Sequence, residues 1–144
     1  MLLRLNKYKA LGSLMRFMAL GFSVGLGVGC AHNESVSPEQ EVSRRASEYY
    51  AALSLADYDA ALEYTTPGYR KTAQAERYHI KYSASPSWMS TDVVGVDCGE
   101  EAVPTRCNVR TNILAKLHKS MPPMITPVDS LWLNIDGKWY RYEE

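Results

Sequence analysis

The stretch CNVRTNILAKLH (107–118) alternates apolar and polar side chains almost without interruption. One side of this pattern carries Cys107, Val109, Thr111, Ile113, Ala115 and Leu117, and the other carries Asn108, Arg110, Asn112, Lys116 and His118. Only Leu114 breaks the polar side. An alternation with a period of two is typical of a β-strand that buries one face. The stretch therefore predicts the central strand of a sheet.

A helical period precedes this strand. Ser37-Pro38-Glu39-Gln40 has the composition of a helix start, because serine caps, proline suits the first helical position and glutamine returns the capping bond. Apolar residues then recur at helical spacing, at Val42, Ala46, Tyr49, Tyr50 and Leu53. We predict a helix over 38–54, a second short helix over 58–64 capped by Asp57, and a less regular third helix over 70–82.

Further strands flank 107–118. Valines at 93, 94 and 96 indicate a strand that ends near Cys98, and the segments 127–134 and 139–142 indicate two more. The Asp136-Gly137 pair between the last two fits either a two-residue hairpin or a type I turn with Gly137 at a bulge. We favour the bulge, which places Leu131, Leu133 and Trp139 on one face. The predicted fold class is α+β, with N-terminal helices packed on a curved antiparallel sheet of three to four strands.

The length of 144 residues is that of one domain, and charge divides the chain unevenly. Four basic residues and no acidic residue precede Cys30, which leaves 12 basic and 16 acidic residues after position 29, a net charge of −4. A mildly acidic domain has no electrostatic reason to bind nucleic acid.

Residues 1–29 are predicted to be a signal peptide. The basic residues Arg4, Lys7, Lys9 and Arg16 precede the short apolar segment 17–28, which ends in small residues. The alternative is a retained membrane anchor. The apolar segment is short for that role, since a spanning helix needs about 20 apolar residues.

Cys30 stands where the apolar segment ends. The sequence Leu26-Gly27-Val28-Gly29-Cys30 resembles a bacterial lipobox, although Gly27 occupies the usual leucine position. The resemblance implies a lipid on Cys30, a tether over 30–37 and, because Ala31 follows the cysteine, anchoring in the outer membrane with the domain in the periplasm. The alternative is ordinary signal cleavage, which would leave Cys30 as a free thiol.

With Cys30 lipidated, Cys98 and Cys107 form an even pair around a short polar segment. Export would supply the oxidising environment that a disulfide between them requires. Two free thiols are the alternative. The spacing fits no zinc pattern, and His32, His79 and His118 are scattered along the sequence. We therefore predict no metal site and no cofactor.

Three segments resemble the nuclear transport factor 2-like superfamily: LADYDAALEYTTPGYR (55–70), VDCGEEAVPTRCNVRTNI (96–113) and LWLNIDGKWYRYEE (131–144). The resemblance spans residues 38–143 and implies a bent antiparallel sheet wrapped around a long first helix to form a cone with a cavity. Its members include isomerases, dehydratases and hydrolases as well as binding modules, and many dimerise through the open sheet face. The fold alone therefore does not decide the function.

The sequence shows no obvious catalytic group for such a cone. No carboxylate falls in the middle of the predicted inward faces, and Asp92 is the best candidate that is left. All aromatic residues after position 22 are tyrosine or tryptophan, which suit cavity linings and interfaces. We expect Tyr49, Trp132 and Trp139 to belong to the core, and Tyr50, Tyr82 and Trp88 to line the mouth of the cavity.

These observations favour a cell-envelope lipoprotein whose domain binds a small apolar ligand or another envelope protein without catalysis. Two alternatives stay open. One is an enzyme with its active site in the cone, and the other is a structural subunit of an envelope assembly. A homodimer is compatible with all three.

Overall fold

The computed structural model describes residues 36–116, 118 and 120–144. The predicted signal peptide, Cys30 and all but the end of the tether lie outside the described residues. The element order is α1 (Pro38–Ser54), α2 (Tyr58–Leu62), α3 (Ala73–Glu76), α4 (Tyr78–Lys81), β1 (Trp88–Asp97), β2 (Arg106–Ala115), β3 (Met124–Ile135) and β4 (Lys138–Arg141), with short 3-10 turns at Tyr69–Lys71 and Ser85–Ser87.

Helix α1 begins and ends where the sequence predicts. The Ser37 hydroxyl accepts a hydrogen bond from the Gln40 backbone N–H, and the Gln40 side chain accepts one from the Ser37 N–H, which completes the capping box. Asp57 caps α2 through the Ala60 N–H at 3.0 Å. The predicted third helix is a series of three short turns, because the weak apolar period of 70–82 gives no continuous face to bury.

The four strands form one antiparallel sheet in the order β1-β2-β3-β4. Thr111 of β2 lies opposite Val93 of β1 and Val128 of β3. The register of β1 shifts twice, between Trp88 and Ser90 and between Val93 and Gly95. Such bulges bend a strand and increase its twist. The sheet therefore curls into a half-barrel around α1, and the predicted fold class is confirmed.

The turn between β3 and β4 differs from the prediction. Ile135 pairs directly with Lys138, and both Asp136 (φ 53°) and Gly137 (φ 79°) adopt positive φ, which defines a two-residue type I′ hairpin. The type I′ geometry matches the twist of the flanking strands, so no bulge is required. Trp132, rather than Leu131 or Leu133, consequently lies on the buried face, opposite Arg141.

Segment 64–66 pairs with the free edge of β4. The Arg141 N–H donates to the Tyr64 carbonyl at 2.7 Å, and the Arg141 carbonyl accepts from the Thr66 N–H at 3.1 Å. These bonds fix the end of the sheet against the chain that follows α2.

The core lies between α1 and the inner face of the sheet. Tyr49 and Trp132 are fully buried and meet edge to face with ring centroids 6.2 Å apart. Trp139 is 4% exposed, so the predicted core role of all three aromatic residues is confirmed. Arg45 on α1 donates to the Trp139 carbonyl at 2.7 Å, which fastens the helix to the hairpin.

Cys98 and Cys107 form a disulfide across the β1–β2 connection. Both residues are buried.

Among the residues described, no helix combines the length and apolar character needed to cross a lipid bilayer.

Candidate functional site

Six polar side chains contact one another and form what we call the phenol–carboxylate cluster: Tyr49, Tyr78, Lys81, Tyr82, Arg141 and Glu143. At its centre is the Glu143 carboxylate, whose side chain is only 3% exposed. A buried carboxylate requires charge partners and hydrogen bonds, because its desolvation is otherwise costly.

Local structure explains how these side chains converge. Tyr78, Lys81 and Tyr82 lie at spacings of three and four residues in and just after α4, so they share one helical face. Arg141 and Glu143 follow Trp139 at alternate positions, so they share the inward face of the last strand and its continuation. Tyr49 faces both groups from α1.

Four donors surround the Glu143 carboxylate. Lys81 Nζ lies 2.6 Å from Oε2, and the Tyr82 hydroxyl lies 2.7 Å from Oε1. Arg141 pairs with Oε1, and the Tyr49 hydroxyl donates to the same oxygen at 3.4 Å. Both carboxylate oxygens are therefore occupied, and two of the partners are cations.

Arg141 links the carboxylate to the phenols. Its Nη1 donates to the Tyr49 hydroxyl at 3.0 Å and to the Tyr82 hydroxyl at 2.8 Å. The Tyr78 hydroxyl donates in turn to that of Tyr49 at 2.8 Å. The guanidinium also lies 4.9 Å from the centroid of the Tyr49 ring, within the range of a cation–π contact.

The electrostatics keep Tyr78 and Tyr82 protonated and Arg141 charged. Burial, reinforced by the neighbouring Tyr49, raises the pKa of Tyr78 and of Tyr82 above the ordinary tyrosine range. Burial disfavours the charge of Arg141, but the surrounding phenols, Tyr49 foremost, keep its pKa above the usual arginine value. The cluster is thus an array of donors directed at one carboxylate.

Of the three residues predicted for the cavity mouth, Tyr82 belongs to this cluster, and Tyr50 and Trp88 lie beside it. Tyr50 is 2% exposed, and its ring lies 4.9 Å from that of Tyr49 and 6.2 Å from that of Trp88. Tyr82 and Trp88 are half-buried. Tyr82 joins the cluster through its hydroxyl, whereas Trp88 packs on Tyr50 at the start of β1.

The Tyr50 hydroxyl is buried but makes no hydrogen bond to any described residue. Thr111 Oγ1 and Arg141 Nε are in the same situation. Most buried polar side-chain atoms have a hydrogen-bond partner, so each of these three atoms without one requires an explanation.

Asp92, the carboxylate that the sequence favoured, is exposed on β1 and accepts a hydrogen bond from the neighbouring Ser90 at 3.2 Å. The interior carboxylate is instead Glu143, which sequence reasoning missed because it lies beyond β4. The sequence did contain a signal for its burial, since Trp139, Arg141 and Glu143 are at alternate positions and therefore share one face of an extended chain. In the part of the chain that the structure describes, no group of three or more His, Cys, Asp or Glu side chains is arranged to hold a metal.

Two surface grooves border the cluster. One, of about 350 Å³, lies between α2 and α3–α4 and has Tyr78 in its lining together with Tyr58 and His79. The other, of about 300 Å³, is lined by Tyr69, Gln74, Arg77, Ile80, Lys81 and Glu144. Both volumes lie near the lower limit for small-molecule pockets.

Comparison with known proteins identifies the fold. No protein-family model and no curated protein matches the chain. Several solved structures share the architecture at low sequence identity. A SEC-C motif containing protein from Psychrobacter arcticus is 14% identical, with a TM-score of 0.58 over 73% of this chain and 60% of that one.

A nuclear transport factor 2-like protein of unknown function from Shewanella oneidensis is 12% identical, with a TM-score of 0.53 over 73% of this chain and 94% of that one. A SEC-C motif containing protein from Rhodopseudomonas palustris is 21% identical, with a TM-score of 0.50 over 75% and 77% of the two chains. The chain described here therefore has the nuclear transport factor 2-like fold.

Proposed function

We propose that this protein is a lipoprotein of the bacterial cell envelope whose cone binds a small, largely apolar ligand without catalysing its conversion. Lipid on Cys30 anchors the chain in the outer membrane, and the domain faces the periplasm. The observation that carries the binding role is the unpartnered Tyr50 hydroxyl beside half-buried aromatic rings.

The disulfide supports the export of the domain. Disulfides form and persist in oxidising compartments such as the bacterial periplasm and are rare in the cytosol. The Cys98–Cys107 bond therefore agrees with the signal peptide predicted over residues 1–29. It also leaves Cys30 as the one cysteine without a disulfide partner in the sequence.

The surroundings of Tyr50 support ligand binding. Its hydroxyl offers one donor and one acceptor that no described residue uses, and the centroid of its ring lies 6.2 Å from that of Trp88. Ligand sites in proteins are mostly apolar and carry a few convergent polar groups that orient the ligand. An apolar ligand with one polar group would satisfy the phenol and extend along the aromatic rings of Tyr82 and Trp88.

The arrangement around Glu143 favours binding over proton transfer. A general base needs a carboxylate oxygen that can reach the substrate proton. Lys81, Arg141 and Tyr82 already occupy both oxygens of Glu143. In this arrangement the Glu143 carboxylate is compensated by its two cationic partners and offers no free oxygen to a substrate proton.

The anchoring is tested by mass spectrometry of the mature N-terminus and by fractionation of a Cys30→Ser variant. Mass spectrometry should find a chain that starts at a diacylated or triacylated Cys30. In fractionation, the Cys30→Ser variant should leave the membrane fraction in which the wild type is found. An unmodified Cys30 or cleavage at another site would overturn this part of the proposal.

The binding role is tested with linear alcohols from butanol to decanol, followed through tryptophan fluorescence. Tyr50→Phe removes the hydroxyl and is expected to weaken binding about tenfold, the loss of one hydrogen bond. The same change is expected to stabilise the free domain by about 1 kcal/mol, because it removes an unsatisfied buried group. Tyr142→Phe, at a residue that is 44% exposed, is the matched control and should change neither quantity.

Saturable binding that is unaffected by Tyr50→Phe would refute the role of this phenol. The absence of saturable binding across the alcohol series would refute the binding function itself.

A second candidate is docking of another copy on the outer face of the sheet. Met89 and Val94 of β1 and Ile125 of β3 are all more than half exposed. Sedimentation equilibrium tests this candidate, and an Ile125→Ser variant should self-associate more weakly than the wild type. A wild-type protein that is monomeric at a concentration of about 100 µM would exclude it.

A further inference from the structure

We infer that the phenol–carboxylate cluster is a binding site for carboxylate ligands, and that Glu143 occupies it as a competitor from within the chain. This inference rests on the proposed binding function and adds to the position at Tyr50 a second one, for an apolar monocarboxylate. The tail of such a ligand would lie in the groove lined by Tyr69, Ile80 and Lys81.

The donor set matches a carboxylate. Lys81 and the Tyr82 phenol contact different oxygens of Glu143, at 2.6 Å and 2.7 Å, and Arg141 adds a second cation. Charge-assisted hydrogen bonds of this kind are the strong ones in proteins, and arginine is favoured where a carboxylate is recognised. Neither cation has another carboxylate partner among the described residues.

Lys81 connects the cluster to the second groove. Its amine contacts Glu143, while its side chain, 48% exposed, also lines the groove of about 300 Å³ beside Ile80. Ile80 is 60% exposed and Tyr69 closes the floor at 6% exposure. A carboxylate bound at Lys81 would therefore have an apolar surface beside it for its hydrocarbon tail.

Glu143 is placed so that it can be displaced. Residues 142–144 follow β4 without regular secondary structure. Among the described residues, the backbone of this segment makes one hydrogen bond, from the Tyr142 N–H to the Leu131 carbonyl at 2.8 Å. Withdrawal of Glu143 thus breaks side-chain contacts that an incoming carboxylate would restore one for one.

The test compares octanoate with octan-1-ol, which share a chain length and differ in the charged group. We expect octanoate to bind the wild-type protein at least tenfold more tightly than octan-1-ol, by tryptophan fluorescence or calorimetry. Lys81→Gln should abolish that preference, and because the side chain is half-exposed, the variant should fold as the wild type does. Lys138→Gln, at an exposed lysine of β4 that contacts the Tyr140 ring, is the control and should keep the preference.

Glu143→Gln provides a second, independent readout. Because it removes the internal competitor, octanoate should raise the Tm of this variant by more degrees than that of the wild type, and octan-1-ol should raise both equally.

The outcomes separate the two proposals. Equal binding of octanoate and octan-1-ol, or a preference that survives Lys81→Gln, would overturn the carboxylate site and leave the proposed function standing. Failure of both ligands to bind would overturn the proposed function together with this inference.

Discussion

The substitution Glu143→Gln is predicted to destabilise the domain strongly, although it replaces one atom. The change removes the negative charge that compensates Arg141, whose side chain is 11% exposed, and Lys81, whose side chain is 48% exposed. Removing one partner of a buried ion pair costs about 3–5 kcal/mol, because the remaining charge stays buried without compensation. The half-exposed Lys81 adds less than about 1 kcal/mol, since water can solvate it.

The expected loss is a large part of the roughly 5–15 kcal/mol that stabilises a typical domain. With a urea dependence of about 2 kcal/mol per molar, a loss of about 4 kcal/mol moves the unfolding midpoint down by about 2 M. Urea unfolding followed by the fluorescence of the buried Trp132 and Trp139 measures this shift directly.

Two further variants isolate the cause. Asp129→Asn breaks the Arg110–Asp129 pair on the outer face, where both side chains are more than 60% exposed, and should have a far smaller effect. The double variant Arg141→Met/Glu143→Leu removes both charges of the buried pair and should recover most of the stability lost in Glu143→Gln. If Glu143→Gln and Asp129→Asn shift the midpoint equally, or if the double variant recovers nothing, the reasoning about the buried charge is wrong.

Replacing both Cys98 and Cys107 with serine is expected to cost about 3 kcal/mol, because the disulfide closes a loop with a sequence separation of 9, and thermal unfolding of the two proteins without reductant measures it. Gly137→Ala should cost about 1–2 kcal/mol in chemical unfolding, since its φ of 79° strains any residue with a Cβ; an unchanged midpoint would contradict the type I′ turn. Arg110 lowers the pKa of Asp129, so this pair stabilises the fold above the unfolded pKa and the contribution is lost as the pH falls through the folded value. Asp129→Asn should therefore reduce the loss of stability between pH 7 and pH 3, and an identical pH profile would show that the pair contributes nothing.

Local signals in the sequence were sufficient for α1 and for the buried face of β2. The capping box from Ser37 to Gln40 and the helical spacing after it fix the helix without tertiary information. Cys107, Val109, Thr111 and Ile113 are buried as the alternation predicts. In both elements the face that the sequence period predicts to be apolar is the face that the structure buries.

The hairpin shows where such signals end. The Asp136-Gly137 pair is compatible with two turn geometries, and a difference of one residue in the loop exchanges the faces of β3. The choice between them depends on the packing of Trp132 against Tyr49, which are 83 positions apart in the sequence and meet only in the folded chain.

The candidate site also depends on contacts between residues that are distant in the sequence. Tyr50 packs on Trp88, and Tyr82 contacts Glu143, while their role at the mouth of a cavity stays a prediction. Glu143 was missed because a charged residue after the last strand ordinarily lies in solvent, and its burial depends on partners from α4. Pairing between distant charges is not visible in a local pattern.

The pairing of segment 64–66 with β4 and the two bulges of β1 also affect whether other chains can add to the borders of the sheet. A regular, unprotected strand at a sheet border is a template on which further chains can assemble without limit. Here one border is already bonded through both the amide and the carbonyl of Arg141, and the other is kinked at two points. Neither border thus presents a long, regular row of free backbone groups to which another strand could add.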